Sequence, residues 1–237
     1  MLKVNLFKRI YYAIKTIVLT FGIWTIPFLL GVFIYLFFLR VLIYIGSICD
    51  WLFIKDIRSG QIKDTIVIVG NPRSGTTFLH RYLVKLRLGT GTELWQMIFP
   101  SAIIQNFLKP IIPYLESVSP TRFHSSDAHK TSLKSIETDD ASMLFRFFDG
   151  FFIYGFIFAW AIEDLFDWVD PKKRDMSERD YNWFESLWLR VIYNSTQDRN
   201  VAKLFSISAN LPKFQKRFPE AKILYMVRDP LSVIPSG

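Results

Sequence analysis

A short apolar run, followed by a glycine-containing turn and an amphipathic segment, limits the fold more than any other feature of the sequence. Residues 65–69 (TIVIV) are mostly β-branched and are bounded by Gly70-Asn71-Pro72, which is typical of a buried strand. Thr76 then opens a segment in which apolar residues recur at helical spacing from Phe78 to Leu86. A strand that leads into a helix in this way indicates an α/β domain.

The rest of the chain supports this class. Loops and short helices are predicted over residues 98–135, and longer helices over 138–148 and 180–194. A short amphipathic helix over 210–218, with Asn210 as its cap, leads into a second predicted buried strand at 223–227. The predicted fold is an α/β, P-loop-like three-layer domain with a central parallel sheet, preceded by an N-terminal transmembrane helix.

The N-terminal region predicts a membrane anchor. Residues 16–39 contain no charged residue, and about 20 apolar residues suffice to span a bilayer. The run is longer than the apolar region of a signal peptide, so a retained anchor over residues 1–58, with a span at about 16–39, is expected before a domain over 59–237. Residues 41–49 continue apolar, so a membrane hairpin, an interfacial helix and a helix buried in a soluble core stay open. A single-pass or monotopic membrane protein is expected; the flanking charges favour a cytoplasmic N-terminus slightly and leave the side of the domain undecided.

Charge and cysteine content exclude several classes of function. The formal net charge is +8, but residues 1–60 hold seven Lys or Arg against two Asp, so the excess is concentrated beside the apolar run. This distribution argues against a nucleic-acid partner. Cys49 is the only cysteine, which excludes an intrachain disulfide and a zinc site built from several cysteines. The oligomeric state is not indicated.

The turn after the first strand has the features of an anion site. Backbone N–H groups at the start of a helix point towards a ligand there, and the helix dipole favours negative charge. Gly70 and Gly75 have the spacing of a Walker A loop, but Thr76 stands where that loop has its lysine. The loop also lacks acidic residues, so no metal is expected; Asp229, after the second strand, is the one residue that could imitate a Walker B acid.

Two motifs together resemble those of a known family. Residues 71–80 (NPRSGTTFLH) resemble the 5′-phosphosulfate loop of sulfotransferases that use 3′-phosphoadenosine 5′-phosphosulfate (PAPS), in the form found in the bacterial and membrane-associated branch. Residues 223–237 (ILYMVRDPLSVIPSG) resemble the 3′-phosphate motif of the same family, with Arg228 and Ser236 at its two characteristic positions. The resemblance covers residues 61–237.

The resemblance implies a metal-free transfer of a sulfuryl group from PAPS to an acceptor hydroxyl. Arg73 would stabilise the charge on the leaving oxygen, and Arg228 and Ser236 would hold the 3′-phosphate. Lys203 and Asp139-Asp140 also match related sequences, though only loosely. The expected PAPS-binding residues are Arg73, Ser74, Gly75, Thr76, Thr77, Arg228 and Ser236.

A general base is needed to take the proton of the acceptor. Glu93 is the predicted catalytic base, because it follows the first helix and lies near where tyrosyl-protein sulfotransferases place a catalytic glutamate. Glu137, His124 and His129 are the alternatives. His80 lies among apolar residues of the first helix, so packing is expected for it.

The acceptor is not identified by the sequence. A small molecule or a carbohydrate, lipid-linked or peptide hydroxyl is compatible with it. Residues 151–162 (FFIYGFIFAWAI) are too short to span a membrane, and predict a buried aromatic helix, a wall for a lipophilic acceptor or a membrane-facing patch. Family members normally continue beyond the second motif, so either a fragment of a longer protein or an incomplete domain is expected. A P-loop-type nucleotide phosphotransferase or hydrolase, and a non-catalytic membrane-tethered nucleotide-binding module, are the alternative functions.

Overall fold

The structure is a computed structural model that describes residues 3–119 and 131–233. The predictions for His124, His129 and Ser236 therefore lie outside the described residues. Three strands are present: β1 (Ile66–Gly70), β2 (Val201–Lys203) and β3 (Lys222–Met226). The α-helices of the described residues are α1 (Leu6–Phe21), α2 (Thr25–Phe53), α3 (Lys55–Ser59), α4 (Thr76–Lys85), α5 (Leu94–Ile98), α6 (Ala102–Leu108), α7 (Ile112–Val118), α8 (Ala141–Phe147), α9 (Phe151–Phe156), α10 (Ser177–Tyr193), α11 (Leu211–Arg217) and α12 (Pro230–Val233).

The three strands form a parallel sheet in the order β2-β1-β3. Ile68 pairs with Lys203 of β2 and with Leu224 of β3, and Gly70 pairs with Met226. All strands therefore end at the same edge of the sheet, and the chain segments that follow them emerge side by side. The predicted α/β class with a central parallel sheet is confirmed.

Alternate residues of β1 face the two outer layers, as expected for a strand with a period of two. Ile66 and Ile68 pack with residues of α4, whereas Val67 and Val69 belong to the main core together with α10 and α11. All five residues of β1 are buried. Cover on both faces is typical of parallel sheets and explains why β1 was the clearest strand in the sequence.

The second predicted strand, at residues 223–227, is present as β3, but the prediction that it is buried was wrong. β3 is an edge strand in the described part of the chain, and Tyr225 is 56% exposed. Asn210 precedes α11 as predicted, but its side chain donates a hydrogen bond to Ser177 Oγ at 3.1 Å instead of capping α11. The sequence did not predict β2, whose three residues are too few to show a periodic pattern.

The predicted span over residues 16–39 differs from the structure in its bounds. The helix is broken, since α1 ends at Phe21, Gly22 takes a φ of 93°, and α2 begins at Thr25. Pro27 explains the break: in the interior of one continuous helix it would remove a backbone hydrogen bond, whereas in the first turn of α2 no such bond is needed. α2 has 29 residues and a mean hydropathy of 2.5 in its most apolar window, so by length and composition alone it is long enough to cross a membrane.

The aromatic run over residues 151–162 is divided between core and surface. It forms α9 and a short 3₁₀-helix (Phe158–Trp160), and Ile153 and Phe158 are buried. Phe156, Trp160 and Ile162 are largely exposed. The run therefore contributes both to the core and to an apolar surface.

Candidate functional site

The loop between β1 and α4 is held in a tight turn by its own residues. The backbone N–H and the hydroxyl of Ser74 both donate to the carbonyl oxygen of Asn71, at 3.3 and 2.6 Å. Arg73 has a φ of 71°, a left-handed conformation that is uncommon for a residue other than glycine. Such conformations persist where the surrounding structure enforces them, and they concentrate at ligand-binding sites.

The N-terminus of α4 is open towards the loop. Its N-cap, Gly75, has a φ of 88°, which explains the need for glycine there, and it has no side-chain oxygen to accept from the first-turn N–H groups. The first intrahelical bond runs from Leu79 N to Gly75 O at 3.1 Å. The first-turn N–H groups of α4 therefore have no side-chain cap, and the anion site predicted at this helix start stays a prediction.

The second motif reaches the loop from the neighbouring strand. Arg228 follows β3, and its Nη1 donates to the carbonyl oxygen of Arg73 at 3.0 Å. The two arginines predicted to bind the two ends of PAPS thus lie next to each other, although one hundred and fifty-five positions separate them in the chain. This contact brings together two of the sequence-predicted site residues.

Lys203, at the end of β2, reaches the loop from its other side. Its Nζ donates to Thr77 Oγ1 at 2.9 Å, although the residue is only 2% exposed. Burial lowers the pKa of Lys203, while the nearby charges of Glu137 and Asp139 act in the opposite direction. This residue matched related sequences only loosely, because the pairing of β2 with β1, which no local pattern shows, brings it to the start of α4.

Asp139 and Asp140 hold Lys203 in place and are themselves buried. Asp139 accepts hydrogen bonds from the backbone N–H of Lys203 at 3.1 Å and from Thr92 Oγ1 at 2.6 Å. Asp140 accepts from the backbone N–H of Phe205 at 2.5 Å. Burial raises the pKa of Asp139 to about 6. Both carboxylates therefore fix the end of β2, and neither is exposed to a substrate.

Glu93 lies at the N-terminus of α5 and forms a capping box with Gln96, whose Oε1 accepts from Glu93 N at 2.9 Å. Glu93 Oε2 also accepts from Trp95 Nε1 at 2.5 Å, and burial raises the pKa of Glu93. Its side chain borders a cavity of about 200 Å³ shared with residues of α6 and the end of α10, such as Lys109 and Asn194. Among the described residues, no hydrogen bond or ion pair joins Glu93 to the loop, and its role as the base stays a prediction.

Glu137, which the sequence analysis named only as an alternative base, lies beside α4 and Lys203. It pairs with Arg81 of α4 at 2.9 Å, and its charge acts on Lys203. His80, by contrast, is fully buried and bonds to Val201 O at 2.8 Å, and burial lowers its pKa to about 3. The predicted packing role of His80 is confirmed.

A cavity of about 480 Å³ lies beyond Lys203. Phe205 lines it, and the ring of Phe205 lies 5.5 Å from Lys203 Nζ. Tyr154 and Trp168 supply aromatic walls, and Arg174 binds Asp149 through both guanidinium nitrogens. Burial alone would raise the pKa of Asp149, but its hydrogen bond to Arg174 and the neighbouring arginine charges lower it to about 2.

Comparison with known proteins agrees with this geometry. The model of the sulfotransferase family matches residues 65–237. No curated protein sequence is significantly similar to the chain. The fold is similar to that of the sulfotransferase STF1 from Mycobacterium tuberculosis H37Rv, with a TM-score of 0.61 and 18% identity over 81% of this chain. It is also similar to the sulfotransferase STF9 from Mycobacterium avium, with a TM-score of 0.55 and 17% identity over 81% of this chain.

The match spans 53% of the length of STF1 and 49% of that of STF9, so the chain covers about half of each. At these identities the two structures establish the fold alone, and the family model supplies the membership. The matched residues include both predicted motifs and all three strands of the parallel sheet, among them the strand that carries Lys203. The chain therefore belongs to the sulfotransferase family.

Proposed function

We propose that the protein transfers a sulfuryl group from PAPS to an acceptor hydroxyl. One observation carries the proposal: Lys203 from β2 contacts Thr77 in the first turn of α4, and Arg228, just after β3, contacts Arg73 in the loop between β1 and α4. Two cations and an uncapped helix N-terminus thus meet at one edge of the sheet, which suits an anion with more than one phosphate-like group.

The residues present fit PAPS. The loop residues Arg73 to Thr77 would bind the 5′-phosphosulfate through first-turn N–H groups and hydroxyls, and Arg228, with Ser236, would bind the 3′-phosphate. Bound PAPS would supply the sulfuryl group, which leaves its bridging phosphate oxygen for the acceptor oxygen. Lys203 and Arg73 would stabilise the negative charge that is left behind, because cations in a site of low polarity act strongly on developing charge.

A base must take the proton of the acceptor, and we propose that this base is one of two glutamates. Glu93 is the residue that the sequence favours. Glu137 is favoured by position, since its charge acts on Lys203 and Arg81 fixes its side chain. A base must reach the acceptor oxygen next to the sulfuryl group. In this proposal the sulfuryl group lies near Lys203, so the base must lie near Lys203 as well.

The cavity beside Phe205 is the proposed acceptor site. Phe205, whose ring lies 5.5 Å from Lys203 Nζ, lines this cavity. Its aromatic walls fit the apolar part of an acceptor better than they fit a bare sugar. A lipid-linked or small lipophilic alcohol is therefore favoured over a carbohydrate or a peptide. The apolar α2 supports a membrane location for the enzyme.

Thermal unfolding of the chain in detergent tests the proposed donor. Adenosine 3′,5′-bisphosphate should raise the unfolding temperature in a concentration-dependent manner, because a ligand that binds only the folded state stabilises it. ATP with Mg²⁺ should have little effect. Stabilisation by ATP and Mg²⁺ alone would favour a phosphotransferase or hydrolase and overturn the proposal.

A transfer assay separates an enzyme from a binding module. Radiolabelled sulfate should move from PAPS to a component of an organic extract of membranes. Binding of adenosine 3′,5′-bisphosphate without any transfer, in a folded protein, would support the non-catalytic alternative.

A further inference from the structure

The long apolar helix α2 is docked along one side on the sulfotransferase domain. Six positions of α2 are buried and form one narrow stripe: Leu29, then two turns later Leu36, Leu39, Ile43, Gly46 and Asp50 at intervals of three or four residues. Gly46 lies so close to α6 that an added Cβ would stand 2.4 Å from the side chain of Ile104. The contact is therefore a packed interface between helices and domain.

The two charged residues of α2 both face the domain. Asp50 is fully buried, accepts from Ala102 N and Ile103 N at the start of α6, and pairs with Arg190 Nε at 2.7 Å. Arg40 donates to the carbonyl oxygen of Phe145 at 3.4 Å. If α2 crossed a membrane from Thr25, the span of about 20 residues would include Arg40, which would have to leave the domain or carry it into the hydrocarbon. A buried charge that loses its partner destabilises the fold strongly, and a charge near the centre of a bilayer is costly as well.

The first helix is fastened to the domain too. The guanidinium of Arg9 is buried, donates to the carbonyl oxygens of Phe147 and Phe148, and lies 3.7 Å from Asp149. Tyr12 packs edge-on against Trp168, with the ring centroids 5.2 Å apart. Both helices of the N-terminal pair (α1 and α2) therefore rest on the domain that contains the candidate site.

The opposite side of the helix pair is apolar and exposed. Twenty-one of the exposed large hydrophobic residues in the described part of the chain lie between Phe7 and Phe53. The ring centroids of Phe21 and Trp160 lie 6.3 Å apart. This contact joins the surface to the exposed residues Phe156 and Ile162 of the aromatic run. Soluble monomers rarely expose a continuous apolar surface of this size, so a partner of low polarity is expected.

The charges around this surface suit a lipid leaflet. Lys3, Lys8, Lys55 and Arg58 are exposed at the ends of the helix pair, and residues 1–60 have the excess of positive charge noted above. Trp24, at the turn, is 84% exposed. Basic residues and exposed aromatic rings beside an apolar surface are typical of segments at the membrane interface that bind anionic lipids. α2 has no polar face of its own, so in this arrangement the docked domain forms the aqueous side.

We propose that the helix pair lies in the plane of one membrane leaflet, with the domain docked on its aqueous side, and that α2 does not cross the bilayer. The inference does not depend on sulfuryl transfer. It selects the monotopic arrangement from the two that the sequence left open. Trp168, which packs against Tyr12 of α1, also lines the cavity beside Phe205, so that cavity lies next to the helix pair.

A depth measurement along α2 tests the arrangement. Leu30, Val41 and Leu52 are exposed and lie on one face of α2, eleven positions apart. Each is replaced in turn by a spin-labelled cysteine, in a Cys49→Ser background that removes the only native cysteine. The full chain is reconstituted into vesicles of phosphatidylcholine and phosphatidylglycerol, and the depth of each label is read from collisions with oxygen and with a water-soluble nickel complex.

For an in-plane helix, the three labels should have the same shallow depth. For a spanning helix, neighbouring labels should differ by up to about 16 Å, with the greatest depth at Val41. A depth maximum at Val41 would overturn the proposal. Labels shielded from both oxygen and nickel would also overturn it, because a second copy or another protein segment would then cover this face.

Flotation with the same vesicles gives an independent readout. The pair Ile34→Glu and Ile45→Glu, both on the exposed face, should lower the bound fraction by about tenfold or more, because charges replace apolar contact with lipid. The matched control is Phe107→Glu with Val118→Glu, which places two charges at exposed apolar positions on α6 and α7. Equal binding of the two variants, with unchanged circular dichroism, would contradict the proposal.

Discussion

The side-chain nitrogen of Lys203 lies 2.9 Å from the hydroxyl oxygen of Thr77, so the end of β2 brings to the start of α4 a lysine that residues 70–77 lack. A Walker A loop has its lysine directly before the Ser or Thr, and here Thr76 occupies that position. The parallel pairing of β1 with β2 thus replaces a local lysine with one that is distant in sequence.

Replacing Lys203 by methionine should lower sulfuryl transfer by about a hundredfold to a thousandfold, because a preorganised donor to the developing charge is lost. Transfer of radiolabelled sulfate from PAPS to an organic extract of membranes measures the effect. Lys216→Met, at an exposed lysine of α11, is the control and should keep normal transfer. Normal transfer by Lys203→Met would remove Lys203 from the mechanism.

The pH dependence of transfer should also report on Lys203. Its pKa is lowered from 10.5, mainly by burial, and only the protonated form can stabilise negative charge. Transfer should therefore decline as the pH rises through this lowered pKa, below the range of an ordinary lysine. Lys203→Arg keeps the charge at high pH and should move the decline upward, even where its maximal rate is lower. A decline at the same pH in both proteins would assign it to another group.

Removing the side chain of Arg228 should weaken binding of adenosine 3′,5′-bisphosphate by about tenfold or more, as expected for the loss of a charge-assisted hydrogen bond. Binding of adenosine 5′-monophosphate should change much less, since it has no 3′-phosphate. Isothermal titration of both nucleotides gives the ratio, and Arg217→Ala on α11 is the control. Equal weakening of both nucleotides would show that Arg228 acts only by holding the carbonyl of Arg73.

The two candidate bases can be separated by amide replacements. We expect Glu137→Gln to lower transfer by about a hundredfold to ten-thousandfold while leaving nucleotide binding intact, because the proton acceptor is lost and the shape is kept. Glu93→Gln should lower the unfolding temperature, since Glu93 caps α5 and accepts from Trp95. A large loss of transfer in Glu93→Gln, with stability and nucleotide binding unchanged, would instead assign the base to Glu93.

The sequence alone determined the features that arise from contacts close along the chain. The apolar run of β1, the glycine turn and the helical spacing of α4 are local patterns, and their bounds in the structure agree within one or two residues. The α/β class follows from them, because a fully apolar strand must be covered on both faces. The motifs around Arg73 and Arg228 could be recognised for the same reason.

The tertiary structure decided which distant residues meet. Strand pairing brings Lys203 to Thr77 and Arg228 to the carbonyl of Arg73, and no local pattern encodes a register between strands. The helical pattern of residues 16–39 could not show that Gly22 breaks the helix, nor that Asp50 is paired with Arg190. Hydropathy measures only the composition of α2; the buried charges on its docked side, which depend on packing, determine how it can meet a membrane.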